Sequence, residues 1–89
     1  MQIDTARIKD QIRHFILTEF LPGESPSSLD DDTPLRTSGI IDSIATLKLV
    51  TFVEETFSIE VDAHEAGIQN FDRIRDIADL VERKHRERA

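Results

Sequence analysis

Cysteine is absent from this chain. No disulfide framework can brace the fold, and no thiol is available as a ligand or nucleophile. Any thiol chemistry would have to come from an added group. Long apolar runs are absent too. No stretch approaches the roughly 20 apolar residues that a bilayer-spanning helix needs. The N-terminus has no apolar signal region either, so a cytoplasmic location is expected. Basic residues are scarce in the middle of the chain. Between Glu19 and Glu65 the only lysines and arginines are Arg36 and Lys48. The formal net charge is -7. Nucleic acid rewards basic surfaces, so this balance argues against it as a partner. It favours solubility and basic partner surfaces. There are no internal repeats.

The 89 residues suit one domain, 1–89, with a modest core. The composition, 38% hydrophobic and 33% charged, fits a small helical protein. Asp4 or Thr5 can cap a first helix running to about Phe20. Ile8, Ile12, Phe15 and Ile16 recur at helical spacing on one face, with Lys9, Arg13 and His14 opposite. His14 has no His or Cys neighbour at ligand spacing and reads as an exposed helix residue. Pro22-Gly23 stops this helix. The connection Glu24–Ser38 is rich in Ser, Pro and Asp, which oppose regular structure. Structureless loops longer than about 12–15 residues are uncommon in compact domains and are often functional or mobile. Leu29, Leu35 and Ile40 or Ile41 are the residues expected to pin it to the core. Asp30-Asp31-Asp32 invites a calcium reading. An EF-hand loop counted from Asp30 would need glycine at Leu35 and a carboxylate at Ile41, so the reading fails, and no metal is expected.

The stretch from Gly39 to Phe57 organises the rest. It begins with a turn glycine and the helix-start pair Asp42-Ser43, either of which could accept a hydrogen bond from a free first-turn N–H. Neither Gly nor Pro interrupts the pattern that follows. Leu49, Val53 and Phe57, with Val50 beside them, make one compact face suited to a core. Ile44 and Leu47 fall on another face, which runs through Thr51 to Glu54 with Lys48 and Glu55 alongside. Further on, Ser58–Val61 reads as an extended connector. Asp62–Gly67 fits a short third helix or turn. Asn70 is a candidate cap for a fourth helix with a core stripe of Ile74, Ile77, Ala78 and Val81, and Phe71 packs near its start. Arg73 and Arg75 read as a solvated face. The basic run Arg83–Arg88 reads as cations matching a helix C-terminus, fraying at the end.

Asp42-Ser43-Ile44, followed by Leu47, Leu49, Val50, Val53, Glu54-Glu55 and Phe57, resembles the attachment motif and second helix of acyl and peptidyl carrier proteins. The resemblance extends over nearly the whole chain. It implies an all-α fold: a small bundle of three main helices and one short helix, with a long first loop. It also implies that Ser43 carries phosphopantetheine, whose thiol holds an acyl or aminoacyl group as a thioester. Asp42, Ile44, Leu47 and Lys48 would frame the site for partners, with Glu54 and Glu55 steering. The implied partners are a phosphopantetheinyl transferase, a loading ligase or acyltransferase, and a downstream acceptor enzyme. The chain itself would be a monomer. Two residues, Ile40 and Ile41, separate the glycine from Asp-Ser, where many fatty-acid carriers have one. This spacing is similar to that of stand-alone D-alanyl and other aminoacyl carriers. Lys48 stands where the fatty-acid branch is often acidic.

Two rivals remain. A serine hydrolase would need a histidine within reach of Ser43, an orienting acid and oxyanion donors. His64 is its one plausible partner and the Gly-x-Ser-x-Gly elbow is missing, so no enzyme is expected. An unmodified helical adaptor would use the same face of the second helix without ever being modified.

Overall fold

The computed structural model describes residues 4–25, 27 and 29–88. Those parts of the long loop's reading that fall on Pro26 and Ser28 lie outside the described residues. The element order is α1 (Thr5–Phe20), α2 (Ser43–Phe57), a 3-10 helix (Ala63–Ala66), α3 (Ile68–Phe71) and α4 (Ile74–Arg88). Among the described residues there is no strand, and the fold is the all-α bundle that the sequence implied.

Each long helix forms because an apolar stripe at helical spacing finds a partner. Ile8, Ile12 and Ile16 of α1 are buried. So are Leu49, Val50, Val53 and Phe57 of α2, and Ile74, Ile77, Ala78, Leu80 and Val81 of α4. The contact of α1 with α4 is the most extensive between elements. Phe71 of the short α3 is fully buried at the same core. Phe15 lies half-buried at the edge of its stripe and stacks on Phe52 of α2 with ring centroids 4.2 Å apart. Asp4, rather than Thr5, caps α1 by accepting the Ala6 N–H at 3.0 Å.

The long first loop is tied down from Leu29 onward. Leu29, Leu35 and Ile41 are buried in the core, and Ile40 packs against it. The Asp30–Asp32 cluster is an ion-pair clamp. Asp31 binds Lys9 at 3.1 Å and also Arg13, while Asp32 binds Arg75 at 2.9 Å. Bonds to main-chain carbonyls run beside these pairs: the Arg13 side-chain Nε donates to Leu29 O at 2.9 Å, and the Arg75 backbone N–H to Asp31 O at 3.1 Å. Lys9 and Arg13 therefore face the loop instead of open water, and Arg75 does more than solvate α4. Arg73 pairs with Asp76 at 3.0 Å, which raises the Arg73 pKa. The hydroxyl of Thr33 and the Asp32 N–H hold the Asp30 carboxyl below its ordinary value.

The region after α2 departs from the sequence reading in several details. Asn70 does not cap α4. It lies inside α3, where its side-chain amide donates to Glu65 O at 3.0 Å. The short element expected over Asp62–Gly67 is present as the 3-10 helix, ended at Gly67, and a further short helix that was not expected, α3, follows it. The basic run is not simply solvated, and α4 continues through it to Arg88. Lys84 pairs with Glu65 at 2.6 Å, and His85 Nε2 lies 2.8 Å from Phe57 O at the end of α2. The two links fasten the tail of α4 to the 3-10 helix and to the end of α2.

Candidate functional site

The site grows from a turn. Gly39 has φ +84°, a left-handed conformation that glycine adopts without a Cβ penalty. Its N–H donates to Arg36 O at 3.1 Å, and the Ile41 N–H to Leu35 O at 2.9 Å, so the chain folds back on itself. Ile41 then enters the core and Asp42 follows in an extended conformation. Asp42 is the N-cap: its Oδ1 accepts the Ala45 N–H at 2.8 Å. Its carbonyl accepts the Thr46 N–H at 2.9 Å and the Thr46 hydroxyl at 2.7 Å. The sequence left the cap open between Asp42 and Ser43. Asp42 takes it, and Ser43 becomes the first helical residue with its side chain free of that duty.

Ser43 is exposed. Ile44 and Leu47 stand beside it at 68% and 64% exposure. Large apolar side chains left in water next to a polar group are the usual mark of a contact surface. Lys48 and Glu55 are exposed on the same side of α2. Glu54 is half-buried, and its Oε2 accepts the Val61 N–H at 2.9 Å, so this carboxylate also fastens the connector after α2. Sequence reasoning missed Ile68 of α3, 49% exposed, because four helical residues give too short a window for periodicity. It also missed Thr46, a buried polar residue whose hydroxyl is satisfied within its own helix.

The geometry suits an anionic attachment. The first N–H groups of a helix have no partner within it, and the macrodipole there favours negative charge. Ser43 lies at that end of α2, with Ile44 and Leu47 beside it. Among the described residues, no hydrogen bond joins Ser43 to His64, which is exposed on the 3-10 helix. Asp62, His64 and Glu65 bring ligand-type atoms within 4.8 Å of one another. Their arrangement already has structural uses. Asp62 and Glu65 form a capping box, and Lys84 neutralises Glu65. The Lys84 ammonium and then the Asp62 N–H hold the Glu65 carboxyl below its ordinary value, against the opposing effect of burial. The same bond raises the Lys84 pKa. No described helix is long and apolar enough to cross a membrane.

The site is thus a capped helix start with an exposed serine and an apolar flank, on a helical bundle with a long first loop. The family model described as "Phosphopantetheine attachment site" matches residues 19–82, and the chain belongs to that family. It is 32% identical over 76 residues to the probable acyl carrier protein PigG of Serratia sp. (strain ATCC 39006), a match covering 85% of this chain and 86% of that protein. The chain is thus a carrier protein whose cofactor is covalently attached phosphopantetheine. Carrier proteins of this kind are generally not catalysts, and they work with a phosphopantetheinyl transferase and with biosynthetic enzymes.

Proposed function

We propose that residues 1–89 form a single, discrete, monomeric carrier domain of the cytoplasm, with phosphopantetheine on Ser43. One observation carries this reading: Ser43 is an exposed first residue of α2, uncommitted to the cap, inside the matched span and beside exposed Ile44 and Leu47. The transferase supplies the base and the CoA donor, so Ser43 needs no activating histidine. Its hydroxyl oxygen bonds to the phosphorus that bears the pantetheine arm, its proton passes to the transferase's base, and the nucleotide portion of CoA leaves. When bound, the arm supplies a terminal thiol that holds an acyl or aminoacyl group as a thioester. The chain's own residues orient and present this group. Asp42 fixes the start of α2, and Ile44 and Leu47 give partners an apolar anchor. Lys48, Glu54 and Glu55 set the charge pattern that a loading ligase or acyltransferase and a downstream acceptor enzyme meet.

The Gly-x-x-Asp-Ser spacing and the exposed Lys48 favour an aminoacyl or other discrete acyl cargo over fatty-acid synthesis. Loading assays with stand-alone ligases and a panel of amino and fatty acids test the cargo. An unmodified adaptor is the competing reading. Intact mass after incubation with a broad-specificity transferase and CoA separates them: a carrier gains one phosphopantetheine, and an adaptor gains nothing.

A further inference from the structure

The turn that leads into Ser43 is held from the far side of the sequence by one carboxylate. Asp72, between α3 and α4, accepts the Arg36 N–H at 2.8 Å and the Thr37 N–H at 3.0 Å, both on Oδ1. The Thr37 hydroxyl donates to Oδ2 at 3.1 Å. The carbonyl of Asp72 also accepts the Leu35 N–H at 2.6 Å. Four donors from three consecutive residues thus converge on one residue. Burial pushes the Asp72 carboxyl up, but the Thr37 and Arg36 N–H groups and the Thr37 hydroxyl outweigh it, and its pKa lies below the ordinary value. Bonds from N–H groups to a charged acceptor are about twice as strong as neutral ones.

The chain on either side of this latch is anchored by other means. Leu35 and Ile41 are buried, and Asp42 caps α2. What the Asp72 carboxylate adds is a fixed path for Arg36 and Thr37, at the start of the 36–40 turn whose residues 37–39 are exposed just ahead of Ser43. Resting on the reading of Ser43 as the attachment residue, we propose that Asp72 is a positioning residue for its modification. By holding the Arg36 and Thr37 N–H groups, its carboxylate keeps the 36–40 turn in the form that the phosphopantetheinyl transferase accepts. Asp72 acts through the turn and touches neither CoA nor the arm.

The test uses the full chain in its unmodified form, with a broad-specificity transferase and CoA. Initial rates are measured against carrier concentration for wild type, Asp72→Ala, Asp72→Asn and Thr37→Val. Val81→Ala, a core truncation in α4, serves as a control for lost stability. If the competent turn falls to about one-fifth of the population, the apparent KM rises about fivefold while kcat stays nearly constant. That split is expected for Asp72→Ala. Asp72→Asn keeps an oxygen that can accept both N–H groups and should restore most of the loss. Thr37→Val removes only the hydroxyl bond and should raise KM less. If Asp72→Ala does not fold, Asp72→Asn and Thr37→Val carry the test: each should raise KM above wild type by less than about fivefold at constant kcat, and two wild-type values would overturn the proposal. Amide exchange gives a second readout: Arg36 and Thr37 should lose protection in Asp72→Ala, with the middle of α2 unchanged. A KM for Asp72→Ala equal to that of wild type, or no higher than that of Val81→Ala, overturns the proposal alone. A wild type that gains no mass overturns it together with the attachment reading.

Discussion

The two faces of α2 make opposite predictions for two leucines two residues apart. Leu49 is fully buried and Leu47 is 64% exposed. Cutting a buried leucine to alanine removes transfer free energy and leaves a cavity, at a cost of about 2–5 kcal/mol. For a domain of this size each kcal/mol shifts Tm by about 4–8 °C, so Leu49→Ala should lower Tm by at least about 8 °C. Leu47 keeps only about a third of its surface covered. Full burial of a leucine contributes about 1.5–3 kcal/mol, so the covered third contributes about 0.5–1 kcal/mol at most. Alanine and leucine differ little in helix propensity, so Leu47→Ala should cost less than about 1 kcal/mol. Its effect should fall on function, because an exposed apolar residue one turn from Ser43 is well placed as a docking anchor. The assay pairs thermal melts of both variants with arm-attachment and loading kinetics per folded molecule. If Leu47→Ala melts as early as Leu49→Ala and is loaded at the wild-type rate, the face assignment is wrong. The docking surface would then have to be sought around Ile68 or the first loop.

Lys48 is exposed, so Lys48→Glu should change stability by less than about 0.5 kcal/mol. It should alter association rates with partner enzymes, and added salt should blunt the change. A drop in Tm with unchanged loading kinetics would make Lys48 structural instead. Acid should weaken the fold through Glu65, Asp72 and Asp30, whose folded pKa values are all lowered. The sign follows from linkage. Their contribution is complete above the unfolded values, near 4.5 for Glu65 and 3.8 for the aspartates, and is lost as pH falls through the lower folded values. Denaturant melts from pH 6 to about 2 check this, and Asp72→Asn should flatten the curve below pH 4. Lys84 sets the opposite limit: its raised pKa stabilises the fold below the unfolded value, 10.5, and that stability is lost as pH rises through the folded value.

The features that were legible in the sequence are those that repeat. Ile8-Ile12-Ile16, Leu49-Val53-Phe57 and Ile74-Ile77-Ala78-Val81 each announce a helix and its buried face, because 3.6-residue periodicity is a local signal. Asp42-Ser43 marked the start of α2, although only geometry distinguishes the cap from its neighbour. What remained hidden was polar and long-range. Asp72 reaches Arg36 and Thr37 across 36 and 35 residues, and His85 reaches Phe57 across 28. Such pairs carry no period, and an aspartate near a helix start looks the same whether it caps its own helix or latches a distant loop. Asn70 is a further case, since its amide donates to Glu65 O instead of capping α4. The loop 24–38 has the composition of a mobile segment. Its ion pairs with Lys9, Arg13 and Arg75 depend on helices that the loop itself does not encode.

The role of Ser43 is tested most directly by mapping the added mass. The protein is incubated with CoA and a broad-specificity transferase, digested, and the modified peptide sequenced by fragmentation. One phosphopantetheine per chain is expected, on Ser43, while Ser43→Ala should fold with an unchanged Tm and gain none. Label on any other residue, undiminished label on Ser43→Ala, or refusal of the wild type by several transferases would contradict the account.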